Sequence, residues 1–192
     1  MTDPRIEFVR LTEVDVAAVA ALLNEPRNAR HMPLASAFTL DEAAGWVAAK
    51  DAQWAANGYG PWAVLIAGEL AGWCGFQAEP GGADFGLVLR PSHWGHGQAI
   101  TKRALQIGFA DVGLDAVLVA LPYSRTPDRA MAGLGFAPDG EVSYAGVRFR
   151  QYRLTREAWS ARRSGASAIR ATSRPAAAGP GPDSGHAASG RS

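Results

Sequence analysis

The run His93-Trp94-Gly95-His96-Gly97-Gln98-Ala99 follows an apolar stretch, Phe85-Gly86-Leu87-Val88-Leu89, and opens a segment of helical character that reaches about Val112. A strand that empties through a glycine-rich turn into a helix presents unpaired main-chain N–H groups at the positive end of a helix dipole. Such a turn holds an anion, most often a phosphate. A Walker A loop would end in Gly-Lys-Ser/Thr, whereas Gly97 is followed by Gln98-Ala99. A dinucleotide fingerprint would need a third glycine and an acidic residue after the next strand, yet Leu121 is followed by Pro122. The lysine, catalytic loop and metal aspartate of a kinase are missing as well.

Other residues with chemical potential have plainer readings. His93 and His96 have a His-x-x-His spacing, but no carboxylate or cysteine nearby would complete a metal site, so no metal is expected. Cys74 has no activating base in view and reads as a packing residue. As the sole cysteine it forms no intramolecular disulfide and fits a reducing cytoplasm.

Positioning the glycine turn requires a fold, and 192 residues suffice for one domain. The net charge of +1 gives no reason to expect a nucleic-acid partner. It hides an asymmetry: residues 1–160 carry 14 basic and 17 acidic side chains, and residues 161–192 carry five and one. No basic start with an apolar core marks a signal peptide, and no apolar run approaches the roughly 18–20 residues of a membrane span, so a cytoplasmic protein with no membrane partner is expected. The Ala/Gly/Ser/Pro/Arg-rich stretch 161–192 lacks large apolar side chains and reads as a disordered tail behind a 1–160 domain.

Within that domain, Ile6–Leu11 alternates as a first strand. Thr12 with Asp15 resembles a capping box opening a helix through Leu23, and Thr39-Leu40-Asp41-Glu42 is a stronger one. Behind the second box, Ala43, Trp46, Val47 and Trp54 follow at helical spacing and read as core. Residues 62–66 and 70–76 form a hairpin about Gly68-Glu69. Phe85–Leu89, the glycine run with its helix, and Ala116–Leu121 suggest a βαβ unit with a parallel pair. A short helix Arg129–Leu134 and two antiparallel strands, Glu141–Tyr144 and Gly146–Leu154, complete a mixed α+β order.

Asp84-Phe85-Gly86-Leu87-Val88-Leu89-Arg90-Pro91 followed by Trp94-Gly95-His96-Gly97-Gln98-Ala99 strongly resembles motif A of the GNAT superfamily of acetyl-CoA-dependent acetyltransferases. The Trp-Gly-x-Gly-x-Ala form is similar to the Rim-type branch, related to ribosomal-protein N-terminal acetyltransferases. Gly58-Tyr59-Gly60-Pro61-Trp62-Ala63-Val64, Gly72-Trp73-Cys74-Gly75-Phe76 and Leu134-Gly135-Phe136 extend the likeness over about residues 5–160. It implies a GNAT fold: a mixed sheet of about six or seven strands, about four helices, and a splayed parallel pair at the cofactor site.

The resemblance also implies roles. The pyrophosphate of coenzyme A would sit on the amides of His96, Gly97, Gln98, Ala99 and Ile100, with the small residues Gly95, Gly97 and Ala99 letting the anion approach and Thr101 adding a hydroxyl. The pantetheine arm would pair with the main chain of Leu87, Val88 and Leu89. Gly86 marks either a bulge that splays this strand or a packing glycine. Asp84 matches the acidic residue found beside the acetyl group in many relatives and would take the amine proton through a water. Relatives carry Asn-x-x-Ser before the short helix; those positions are Ser124 and Pro127 here, and the tyrosine of other branches falls at Met131. Ser124 is then a substitute donor, and Thr101 stands where many relatives have Glu.

The expected activity is acetyl transfer to a primary amine, a protein N-terminus or small amine, by direct attack in a ternary complex. The altered acid position also suits a non-catalytic acyl-CoA sensor. Antibiotic-like or polyamine-like acceptors would call for an acidic groove. Trp62 and Trp73 either face the acceptor or pack in the core, and the loop Asn28–Phe38 either walls that site or merely connects. A monomer and a homodimer both remain open.

Overall fold

The computed structural model describes residues 5–29 and 37–172. The chain runs β1 (Ile6–Arg10), a 3-10 turn (Leu11–Glu13), α1 (Val16–Leu23), α2 (Pro26–Ala29), α3 (Leu40–Asn57), β2 (Pro61–Ile66), β3 (Glu69–Glu79) and β4 (Gly82–Leu89). After a second 3-10 turn (Pro91–His93) come α4 (Gly97–Gln106), a π-helical turn (Ile107–Val112), β5 (Ala116–Pro122), α5 (Asp128–Leu134), β6 (Ala137–Tyr144), β7 (Val147–Thr155) and α6 (Arg156–Thr172). The strands form one sheet ordered β1-β2-β3-β4-β5-β7-β6, with every pairing antiparallel except β4–β5. The mixed fold with its parallel pair is as expected, with six helices where about four were anticipated.

Period-2 alternation sorts the strands between two faces. On β2, Trp62, Val64 and Ile66 enter a cluster with Phe76, Phe85, Ile100, Leu105, Phe109, Val117 and Leu154, so α4 covers that face. Ala63 faces the opposite way, toward Leu11, Val19, Leu22, Val47 and Trp73, beneath α1 and α3. Pairing of β2 with β3 passes from Val64↔Gly72 to Leu65↔Leu70, leaving Ala71 as a bulge that turns Leu70 and Trp73 to the same face.

Helix starts follow the side chains best able to cap them. Thr39 Oγ1 accepts the Glu42 amide at 3.2 Å and Glu42 returns a carboxylate to the Thr39 amide at 2.7 Å, the expected box. The box expected at Thr12 is absent. Asp15 is itself the cap, accepting the Ala17 amide at 3.0 Å, so α1 begins at Val16 behind the 3-10 turn.

At the other end, α6 runs through Thr172 and so enters the stretch expected as tail. Ala and Arg are strong helix formers, Thr155 Oγ1 caps the Ala158 amide at 3.2 Å, and Trp159 stacks on Phe109 with centroids 5.6 Å apart. Residues 173–192 lie outside the described residues, as do 30–36, which include Pro33 and most of the expected acceptor loop. Among the described residues no helix is long and apolar enough to cross a membrane.

Candidate active site

Strands β4 and β5 pair only through Ala83↔Val117 and Asp84↔Leu118. Beyond Asp84 they part, and a cleft of about 1010 Å³ opens between them. One end is lined by Gly95, Gly97 and Thr101 of the glycine turn, the other by Trp46, Lys50, Trp73 and Asp84; Ser124, Pro127 and Met131 border it from the β5–α5 side. The structure therefore gathers the glycine turn, the strand, Asp84 and Ser124 around one space. Pro127 and Met131, where the resemblance leads one to expect hydroxyls, both line the cleft, and neither carries one.

Gly95 takes a φ of 104°, which only glycine adopts without strain, and this bend aims the start of α4 at the cleft. The His96 amide bonds the His93 carbonyl at 3.3 Å and the Ile100 amide bonds the His96 carbonyl at 3.0 Å. Those two of the five anticipated donors are thus already engaged, leaving the N–H groups of Gly97, Gln98 and Ala99 at the helix start. Thr101 Oγ1 donates to the Gly97 carbonyl at 2.8 Å, so its proton is used within the helix and is not directed at an anion.

The strand that borders the split is regular. Its register against β3 is unbroken from Gly72↔Leu89 to Glu79↔Gly82, so Gly86 makes no bulge. It is a packing glycine: a Cβ there would lie 2.7 Å from Trp73 Cη2. The Arg90 amide bonds the Ala71 carbonyl at 2.7 Å. By antiparallel alternation the main chain of Val88 then also turns toward β3, and those of Leu87 and Leu89 face the split. The Leu89 carbonyl is already occupied, accepting from Asn28 Nδ2 at 3.1 Å and Trp94 Nε1 at 3.3 Å.

At the apex of the split, burial and the nearby Glu79 carboxylate push Asp84 up to about 6, partly offset by the Ala120 main chain and Lys50. Opposite it stands Lys50 from α3, whose ammonium donates to Gln77 Oε1 and lies 5.7 Å from the Trp46 ring centroid. Burial holds this ammonium below the usual lysine range, while Asp84 and Glu79 pull the other way. Gln77 is the cross-strand partner of Asp84, so the three groups share one patch of the α1–α3 face.

Sequence reasoning missed Lys50; Asn28 and Phe38, the ends of the loop expected either to wall the acceptor site or merely to connect, both line the cleft. The signal for Lys50 was the i, i+4 relation to Trp46 on a stripe that otherwise reads as core. Of the tryptophans, Trp73 lines the cleft in edge-on contact with Trp46 at 5.5 Å, whereas Trp62 packs between Phe8, Trp54 and Phe76 in the core. Trp46, expected in the core, lines the cleft as well. Cys74 is fully buried, and burial pushes its thiol up. Among the described residues no three His, Cys, Asp or Glu side chains converge as a metal site.

Comparison with known proteins agrees with this architecture. An acetyltransferase of Agrobacterium tumefaciens aligns with a TM-score of 0.64 at 18% identity, over 80% of this chain and 92% of that one. A GNAT-family acetyltransferase of Bacillus anthracis also gives 0.64 at 18% identity, over 82% and 98%. The aminoglycoside acetyltransferase AAC(6')-Ib in complex with coenzyme A gives 0.64 at 16% identity, over 84% and 99%. At such identities the likeness concerns the fold. A search of curated proteins finds no match. The family model for the acetyltransferase (GNAT) domain matches residues 5–125, which spans the whole cofactor-side strand, the glycine turn and Asp84, and the chain belongs to the GNAT acetyltransferase family.

Proposed function

We propose that this protein is an acetyl-CoA-dependent N-acetyltransferase of the Rim-type branch, moving an acetyl group to a primary amine by direct attack in a ternary complex. One observation carries the reading: Asp84 stands where β4 and β5 separate, in the same cleft as the free amides at the start of α4. The residues fit the cofactor. Gly97, Gln98 and Ala99 offer donors to a pyrophosphate, and the open main chain of Leu87 offers a strand edge to an extended amide-bearing arm. When bound, acetyl-CoA supplies an acyl group activated as a thioester.

The chain's own part is proton handling and orientation. An alkyl ammonium has a pKa of about 10, so the acceptor must lose a proton before it attacks. Asp84, pushed up to about 6, is ionised at neutral pH yet more basic than an ordinary carboxylate. It receives that proton through a water, since aspartate is shorter than glutamate, and the free amine then attacks; as the N–C bond forms and the C–S bond breaks, the second proton shed by the nitrogen passes to the departing thiolate. A thiol pKa of about 8.5 makes the leaving thiolate stable enough that a strong acid is dispensable, which accommodates Pro127 and Met131. Ser124 and Thr126 border the cleft with hydroxyls on that side.

Thiol release from acetyl-CoA with a panel of small amines, amino acids and peptide N-termini tests the proposal. Acceptor-dependent release is expected; silence across the panel, with coenzyme A still bound, would instead identify an acyl-CoA sensor.

A further inference from the structure

The charge of the acceptor end of the cleft is informative. The described ionisable residues that line the cleft are Lys50 and Asp84 at the acceptor end and Arg125 on the β5–α5 side, with the Glu79 carboxylate acting on Lys50 and Asp84 from close by. A groove built for a polycation would be lined by an excess of carboxylates and would not hold a lysine beside the amine site. Kanamycin, the ligand of one structural neighbour, is a polycation at neutral pH.

Lys50 is also incompletely partnered. Its ammonium has three donors, and among the described residues its side-chain partner is the neutral Gln77 Oε1, with no carboxylate within ion-pair distance. A half-buried ammonium bears a desolvation cost that a neutral amide offsets poorly. It is held from three sides: by α3, by the Trp46 ring and by Gln77, the cross-strand neighbour of Asp84. The cleft therefore places a fixed cation beside the expected base, on one face of the sheet, without joining them as an ion pair.

We propose that Lys50 is the carboxylate-binding residue of the acceptor site, and that the acceptor is an amine carrying its own carboxylate, an α-amino acid with an apolar side chain. This rests on the transferase reading above. The amine then faces Asp84, the carboxylate meets Lys50, and the side chain lies against Trp46 and Phe38, which line the same end. An amine without an anion leaves Lys50 with the neutral Gln77 Oε1 as its described hydrogen-bond partner, and a polyamine adds repulsion from Lys50.

The test compares phenylalanine and leucine with their amides, spermine and kanamycin by thiol release at pH 8.5, and measures binding of N-acetyl-phenylalanine and its amide by calorimetry with coenzyme A present. The acids are expected to exceed their amides by tenfold or more in kcat/KM, with the difference in KM. Lys50→Gln abolishes that preference and Lys50→Arg restores most of it. N-acetyl-phenylalanine binds the wild type at least tenfold tighter than its amide, and Lys50→Gln makes the two equal. Equal use of acids and amides, a preference for spermine or kanamycin, or loss of both acid and amide turnover alike in Lys50→Gln overturns the assignment. If none of these acceptors releases thiol but peptide N-termini do, the amino-acid assignment is overturned and the transferase reading stands; if peptide N-termini are silent as well, the transferase reading fails by itself. The calorimetric comparison then decides the carboxylate site: discrimination that depends on Lys50 upholds it, and equal binding overturns it.

Discussion

The indole of Trp73 lies across Gly86, so close that a Cβ on that glycine would stand 2.7 Å from Cη2 and 2.8 Å from Cζ3. The ring is 8% exposed and braced by Trp46 on its other side. It cannot slide away without disturbing the wall of the cleft. Gly86→Ala is therefore expected to destabilise the fold by about 1–3 kcal/mol through overpacking, read as a Tm fall of roughly 2–4 °C per kcal/mol. Trp73→Phe, which removes part of the ring, should recover stability in the Gly86→Ala background. A Gly86→Ala protein as stable as wild type would show that the contact is loose.

Asp84 predicts two pH effects of opposite benefit. As the proposed base it must be ionised, so kcat/KM should rise with pH through an inflection near 6, the value to which burial and Glu79 push it. Asp84→Asn should lose that limb and about 10²-fold or more in rate. For stability the sign reverses. A carboxyl whose folded pKa lies above its ordinary 3.8 holds its proton more tightly when folded, so stability falls as pH rises from about 3.8 through 6. Asp84→Asn escapes that loss. Thermal unfolding at pH 7.5 should show the variant more stable, by at most about 3 kcal/mol for a shift of this size, with the gap closing below pH 4. Burial first and then the Glu79 charge raise Asp84, against the Ala120 main chain and Lys50, so Glu79→Gln should move the kinetic inflection downward.

The end of β4 is fixed by side chains from two directions, because Asn28 and Trp94 both donate to the Leu89 carbonyl. Either donor alone leaves that carbonyl satisfied. Asn28→Ala and Trp94→Phe should each cost about 0.5–1.5 kcal/mol in urea unfolding. The double variant should cost more than their sum by at least about 0.5 kcal/mol, since the carbonyl then has neither donor. Strict additivity would mean that the two bonds do not back each other up.

The range of each contact along the chain decides what was legible. The Thr39 box, the glycine turn and the period-2 strands are local patterns, so their elements appear where the residues place them. Asp84 was legible through its place in motif A. Lys50 and the bond made by Asn28 were not, because each acquires meaning from a distant partner: Asn28 from Leu89, 61 residues on, and Lys50 from Gln77, 27 residues on. The donor count at the glycine turn was overestimated for a related reason. Sequence shows which amides could face an anion, whereas the bonds that engage His96 and Ile100 depend on how the turn folds back. Helix α6 was hidden by composition, since its anchorage on the domain rests, among the described side chains, on Trp159 against Phe109 and the arginine contacts around it.

Gly97 separates folding from cofactor binding. It is the first residue of α4, and its φ lies outside the left-handed region, so alanine fits the backbone. A Cβ there would meet Leu87 Cδ2 at 3.6 Å and Leu89 Cδ1 at 4.0 Å, ordinary contacts within the fold. Gly97→Ala should therefore keep stability or raise it by up to about 1 kcal/mol, the usual entropic gain over glycine in a helix. The same methyl group stands at the mouth of the anion site, beside the amides of Gly97, Gln98 and Ala99. Calorimetry should show coenzyme A binding at least tenfold more weakly, about 1.4 kcal/mol, while binding of pantetheine, which has no pyrophosphate, changes little. If both ligands weaken equally, the methyl acts on the arm along β4, and the pyrophosphate lies elsewhere.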